Sequence, residues 1–268
     1  MIPAATAYAR ATDLDHALEL LAEPEAKAIA GGQSLIPVMK LRIARPSLIV
    51  DISRLDLRGV EEHDGELHIG PLTTWRDLID AEVLLRPALA AFAECARGIG
   101  DLQVRNLGTI GGSVVHADPA SDMPAVLLAL DAKVVVRSPD GARTIALDDF
   151  LVGPFMTKLG PQDLITDIIV PLPASGSGSA YVSVEHPASG FALVGAAALI
   201  QRKGQGRLAL TGIGARPVLV PDSEPIPRIE NMEVMGDGFA PAEYRCELAN
   251  VVIGRAIRLA GERATVDA

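Results

Sequence analysis

"KAIAGGQSLIPVMKLRIARP", residues 27–46, sets two adjacent glycines, a glutamine and a serine behind a short apolar run, then returns to apolar and basic residues. Glycine leaves the amide N–H uncovered and tolerates positive φ, so such a run can aim several donors at one anion. "GTIGGSVVHADPASDMP", residues 108–124, repeats the composition further along the chain. Ser34, Thr109 and Ser113 add hydroxyls to the two donor rows. Neither stretch ends in Gly-Lys-Ser/Thr, and neither supplies G-x-G-x-x-G between a strand and a helix, so phosphate-loop and Rossmann sites are not supported. Each stretch alone also reads as an ordinary Gly-Gly turn. Residue pattern therefore reaches a candidate diphosphate cradle built from two segments.

Outward from the first stretch, "TDLDHALELLAE" has helical apolar spacing with Thr12 or Asp13 as N-cap, and "AKAIA" and "SLIVDI" read as strands. Together they make a βαβ-like unit over residues 1–57. "ELHIG" then reads as a strand, and "TTWRDLIDAEVLL" and "PALAAFAECARGIG" as helices. "SDMPAVLLALD" is a further helix, capped by Ser121 or Asp122. "AKVVVRS", "ARTIAL" and "LITDIIVP" read as antiparallel strands, which closes a second unit over 58–174. "PASGSGSA", residues 173–180, reads as a linker. A third unit, 175–268, holds three strands ("YVSVEH", "FALVGAAALIQR", "RLALTGIG"), the irregular "PDSEPIPRIENMEVMGDGF", and a long last helix. That helix is read with Tyr244, Leu248, Val251, Val252, Ala256 and Leu259 on one face. The fold class is α+β.

Composition removes several function classes. Charged residues are 22% and apolar residues 49%, which describes a globular chain with a core and no disordered tail composition. A net charge of −10 without a long basic run argues against nucleic acid as partner. Cys95 and Cys246 are the only cysteines, too few for the four ligands of an iron–sulfur cluster or a structural zinc site, and they suit a reducing compartment. The first twenty residues have no basic-then-apolar leader pattern, and no apolar run is long enough to cross a bilayer. The expected location is the cytoplasm, with association at the inner face of a membrane as the variant. "HADPASD" reads as a Pro-containing turn and not as a metal site, so no metal is assigned to the chain.

"AGGQSLIPVMKLRIARPSLIVDIS", "IGDLQVRNLGTIGGSVVHADPASDMPAVLLALDA" and "AEYRCELANVVIGRAI" resemble the FAD-binding medium subunit of the molybdenum hydroxylases, the family of bacterial carbon monoxide dehydrogenase and xanthine dehydrogenase. The likeness runs over nearly the whole chain. It implies a two-subdomain FAD-binding fold of the vanillyl-alcohol-oxidase-like (PCMH) type plus a C-terminal antiparallel sheet with helices. Carried over by position, Ala30, Gly31, Gly32, Gln33 and Ser34 contact the FAD diphosphate from one side, and Thr109, Ile110, Gly111, Gly112 and Ser113 from the other. Asp122 hydrogen-bonds the nucleotide part, Ile99 and Leu159 make apolar or backbone contacts, and Phe191 lies beside the isoalloxazine ring. From the residues alone, Asp122 reads equally as a helix cap, Ile99 and Leu159 as core, and Lys40, Arg42 and Arg45 as a solvated face.

The resemblance also implies partners: an iron–sulfur small subunit and a molybdenum large subunit, assembled as a dimer of heterotrimers. The molybdenum cofactor and [2Fe-2S] clusters would sit on those chains, and no residue of this one need act as acid, base or nucleophile. Electrons would pass from the iron–sulfur subunit to FAD and on to NAD, a quinone or another acceptor. Three departures stand out. Ser183 and Gly190 replace a Lys and an Asp near the ring position, with His186 as the nearest substitute for the lost positive charge. Trp75 replaces a smaller or more polar residue, and the segment 211–240 is shorter and richer in proline. Two other classes remain: a stand-alone FAD-dependent oxidoreductase of the same superfold, and a non-catalytic nucleotide-binding assembly protein.

Overall fold

In the computed structural model, which describes residues 2–201, 206–220, 229 and 232–264, three sheets follow one another along the chain. The first is parallel, with strands β1 (Ala7–Arg10), β2 (Lys27–Ile29) and β3 (Leu48–Asp51) in the order β1-β3-β2. Helix α1 (Leu14–Leu20) connects β1 to β2, and α2 (Leu35–Lys40) connects β2 to β3. Asp13 caps α1 by accepting the His16 N–H at 2.9 Å, which decides between the two candidate caps. Val50 and Ala17 are fully buried at the centre of this small core.

The second sheet is antiparallel, in the order β4-β5-β10-β6-β7, formed by β4 (Val60–His63), β5 (Glu66–Ile69), β6 (Lys133–Ser138), β7 (Gly141–Ala146) and β10 (Leu164–Pro171). Between β5 and β6 come five short helices: α3 (Trp75–Asp80), α4 (Ala90–Gly98), α5 (Leu102–Leu107), α6 (Ile110–His116) and α7 (Met123–Ala129). A capping box starts α3: Thr74 accepts from the Asp77 N–H at 3.2 Å and Asp77 accepts from the Thr74 N–H at 2.8 Å. Helix α8 (Leu147–Phe150) and the hairpin β8 (Leu151–Gly153) and β9 (Met156–Thr157) precede β10. Phe92, Met123, Leu127, Val134 and Ile168 fill the main core between helices and sheet, all of them fully buried.

The third sheet is antiparallel and has four strands where three are expected: β11 (Gly178–Glu185), β12 (Ala192–Ile200), β13 (Gly206–Thr211) and β14 (Val218–Leu219). One helix, α9 (Ala242–Ala264), lies on it. Two sequence expectations need correction here. "PASGSGSA" is only partly linker, because Gly178, Ser179 and Ala180 open β11 and are buried. A Cβ on Gly178 would run into the Ala260 carbonyl oxygen, so the small residues let α9 close onto the strand. The buried face of α9 is also rotated from the expected one. It consists of Arg245, Ala249, Val252, Ile253, Ala256 and Ala260, while Tyr244 and Val251 are nearly half exposed. Much of the shortened 211–240 stretch, residues 221–228, 230 and 231, lies outside the described residues.

Candidate cofactor site

The first glycine segment leaves the C-terminal end of β2 and turns into α2, the end of a parallel strand where ligands commonly sit. Gly32 takes a φ of +72°, a conformation an L side chain rarely adopts. The N–H groups of Gly31, Gly32, Gln33 and Ser34 meet no protein acceptor among the described residues. Gln33 instead turns its side-chain amide back onto the Gly31 carbonyl at 3.2 Å. Four successive free donors at a glycine turn make an anion-binding concavity.

The second segment is built differently. Thr109 caps α6, accepting from the Gly112 N–H at 3.2 Å, so Gly111 and Gly112 lie in the first helical turn and not in a loop. The Ile110 N–H donates to the Thr73 carbonyl at 3.0 Å and the Gly111 N–H to the Pro71 carbonyl at 2.9 Å. A Cβ on Gly111 would collide with Pro71. Ile110 is fully buried, so its side chain anchors the turn in the main core. Ser113 shares a hydrogen bond with Ser121, oxygen to oxygen 2.7 Å.

The two segments meet. A Cβ on Gly31 would strike the Leu107 carbonyl oxygen and reach to 3.0 Å from the Gly108 Cα. The first glycine segment is therefore in backbone contact with the residues leading into Thr109. Behind Gly108 stands buried Trp75, whose Nε1 would be 2.7 Å from a Cβ at that position. The indole backs the junction.

Asp122 begins α7 but does not cap it. Its carboxyl Oδ1 accepts from the Tyr181 hydroxyl of β11. Burial pushes the carboxyl up from the ordinary 3.8 to about 7, with Glu185 and Asp118 adding repulsion and the tyrosine hydrogen bond acting the other way. Tyr181 in turn is fixed by its own backbone, its N–H donating to Glu94 at 2.9 Å. Glu94 also receives both arms of the Arg263 guanidinium, at 3.0 and 2.5 Å, which ties α4 to the end of α9.

The remaining candidate residues are distributed around this junction. Ile99, at the end of α4, and Leu159, two residues after β9, are partly buried against the main core. Arg105 holds the Ile99 turn, donating to the Ile99 and Gly100 carbonyls at 3.2 and 2.7 Å. The β8–β9 hairpin reaches α6, with the Phe155 ring 5.1 Å from that of His116. Phe191 stands apart. It is 47% exposed at the turn before β12, and no hydrogen bond or ring contact among the described residues ties it to either glycine segment. His186, in the same turn, packs its ring on Phe239 with centroids 4.6 Å apart. Lys40, the last residue of α2, and Arg42 and Arg45 just beyond it are exposed.

Sequence reasoning missed Tyr181, Glu94 and the Leu107–Gly108 contact surface. A signal existed for Tyr181, because a tyrosine on an apolar strand needs a hydrogen-bond partner once buried. Glu94 and Leu107 carried none, since their roles depend on which elements pack together.

A glycine turn whose N–H groups meet no protein acceptor among the described residues, pressed against the residues that lead into a second glycine-bearing helix start, has the form of an anion-binding concavity. Residues 4–173 match the FAD binding domain in molybdopterin dehydrogenase, and the chain belongs to that family as an FAD-binding subunit of an oxidoreductase. It is 33% identical over 287 residues to the carbon monoxide dehydrogenase medium chain of Afipia carboxidovorans, covering 98% of this chain and 99% of that one. It is 39% identical over 223 residues to the glyceraldehyde dehydrogenase medium chain of Sulfolobus acidocaldarius, covering 81% and 79%. The fold matches a solved carbon monoxide dehydrogenase from Hydrogenophaga pseudoflava at a TM-score of 0.92 and 33% identity, over 98% of this chain and 99% of that chain. The residues present fit FAD: four N–H groups without a protein acceptor among the described residues stand at a turn where a side chain would intrude, and the partly buried Asp122 carboxyl, held by Tyr181, lies at the start of α7. No described helix is long and apolar enough to cross a membrane.

Proposed function

We propose that this chain is the electron-transfer subunit of a heteromeric molybdenum hydroxylase, taking electrons from an iron–sulfur subunit and delivering them to NAD, a quinone or another acceptor. FAD supplies the redox chemistry when bound. The chain's own residues grip and orient it. Gly31 to Ser34 offer their N–H groups to the diphosphate, with Ala30 leading into the turn. Thr109 to Ser113 close the opposite flank, where the Thr109 and Ser113 hydroxyls and the shape of the helix start matter more than free N–H groups. Asp122 accepts a hydrogen bond from a hydroxyl or amino group of the nucleotide. Ile99 and Leu159 contribute apolar walls, and Phe191 would lie beside the ring.

The observation that carries this reading is the backbone contact of Gly31 with Leu107 and Gly108, which brings the two segments to one place. Partners follow from the relatives, which bear the names of medium chains of dehydrogenases. A molybdenum subunit and an iron–sulfur subunit would hold the centres that two cysteines cannot. The test has two arms. The purified chain should bind FAD and oxidise an artificial reduced donor, yet leave the organic substrate untouched. Co-purification from the native host should bring down a molybdenum-containing and an iron–sulfur protein. Substrate turnover by the isolated chain would sink the subunit assignment.

A further inference from the structure

The Tyr181 hydroxyl and the Asp122 carboxyl come from different units of the chain. Tyr181 lies on β11 and Asp122 at the start of α7, and the phenol donates to Oδ1. Apart from its own backbone N–H, the Asp122 carboxyl has no other hydrogen-bond partner among the described residues. The phenol thus holds one oxygen, and no other residue's hydrogen bond occupies the carboxyl among the described residues. Space for the phenol is made by Gly195 on β12, where a Cβ would strike the Tyr181 hydroxyl. The tyrosine backbone is pinned by Glu94, and Glu94 by Arg263. The Tyr181 hydroxyl itself is not needed to fill space, since a phenylalanine would fill the same apolar volume.

We propose that Tyr181 is a positioning residue that holds the Asp122 carboxyl for the dinucleotide, so that the third sheet sets how tightly the chain takes FAD. This inference rests on the reading of Asp122 as a cofactor contact. The groups facing Asp122 are Tyr181 and Glu185 from β11, Asp118 from the turn before α7, and Cys95 from α4. Two of these carboxylates repel it, burial raises it further, and only the tyrosine hydrogen bond favours its charged form from another residue. A carboxylate accepts a ribose or amino proton more strongly than the neutral acid does. FAD affinity is therefore highest above about 7 and declines as pH falls below it. Without the phenol the carboxyl becomes harder to ionise, and the decline begins at higher pH.

The experiment is FAD titration of the full chain across a series from about pH 5.5 to 9, for wild type, Tyr181→Phe, Asp122→Asn and the double variant. Tyr181→Phe should weaken binding about tenfold near neutrality, the scale of one charge-assisted hydrogen bond, and move the pH midpoint up. Asp122→Asn should flatten the profile, and the double variant should lose no more than Asp122→Asn alone. Should Tyr181→Phe not fold, 3-fluorotyrosine at the position keeps the shape and strengthens the donor, and the midpoint should then move down. An unchanged affinity and pH midpoint in either Tyr181 variant, or additive losses in the double variant, would overturn the proposal. Failure of the wild-type chain to bind FAD at any pH would overturn the cofactor reading as well, and so distinguishes the two.

Discussion

Gly31, two residues after β2, and Leu107 at the end of α5 are in direct backbone contact, close enough that no side chain can stand between them. A small residue is required here by space and not by conformation, because only Gly32 of the pair has positive φ. Gly31→Ala should push the two segments apart, costing about 1–3 kcal/mol by overpacking and more in cofactor affinity. Gly153→Ala is the control, since a Cβ there has nothing within 4 Å. Its stability should stay within about 0.5 kcal/mol of wild type. Urea denaturation with flavin content as second readout separates the outcomes. Full flavin retention in Gly31→Ala would remove the junction from the argument.

The Glu94–Arg263 pair should join the last helix to the main core energetically as well as geometrically. Arg263 spans both Glu94 oxygens and the Ser179 carbonyl at 2.6 Å, with side chains about a quarter exposed (24% and 23%). Arg263→Met keeps the aliphatic stem and removes the donors, and should cost about 2 kcal/mol. Partial exposure lowers the pairwise share. A double-mutant cycle with Glu94→Gln should therefore give a coupling of roughly 1 kcal/mol. Strictly additive losses would mean that the pair contributes no linkage between these elements.

Much of this was legible in the chain because the relevant signals are local. The periodicity of α1, the valine run of β6 and the Thr marking the start of α3 each lie within one element, whereas Pro87 opens a short 3-10 turn and α4 begins only at Ala90. The glycine pairs were legible as special backbone, yet their difference was not. "AGGQS" is a turn with free donors, whereas "TIGGS" is a helix start whose N–H groups are spent on Pro71, Thr73 and Thr109. That contrast depends on where residues 71–74 pass, which no short window contains. The α9 face failed for a related reason. Packing against a sheet selected alanines for close approach, and an arginine with four acceptors in reach outcompeted the exposed Tyr244 for the interior. Hydrophobic pattern has no means of anticipating a buried, fully bonded guanidinium.

Arg245 should accordingly be among the most sensitive positions of the third unit. Its guanidinium donates to the carbonyls of Leu193 and Gly212, both at 2.5 Å, and to Asp237 at 2.6 Å, while the residue is 5% exposed. Arg245→Met fills most of the volume but strands two carbonyls in the interior. The expected loss is about 3 kcal/mol, read as a lower midpoint in urea with an unchanged slope. Arg245→Lys should recover only part of it, because one ammonium cannot reproduce the fork. A loss below about 0.5 kcal/mol in Arg245→Met would show that water reaches those carbonyls.

The Asp122 carboxyl predicts an unusual pH dependence for the cofactor-free chain. Its folded value, about 7, lies above the ordinary 3.8 that it regains on unfolding. Between those two values the folded state keeps a proton that the unfolded state has released. The carboxyl therefore does not disfavour folding below the unfolded value, and its cost grows as pH rises toward the folded one, then levels off. Asp122→Asn keeps an acceptor for the Tyr181 hydroxyl but cannot ionise. The variant should match wild type near pH 4 and exceed it at pH 8 by something on the order of 2–4 kcal/mol. Added FAD should reverse the order at pH 8, because the ligand favours the charged carboxyl that the variant lacks. Paired urea curves at the two pH values, with and without FAD, read all of this at once. Equal stability of the two proteins at pH 8 without FAD would place the carboxyl in contact with water and remove burial as the cause of its shift.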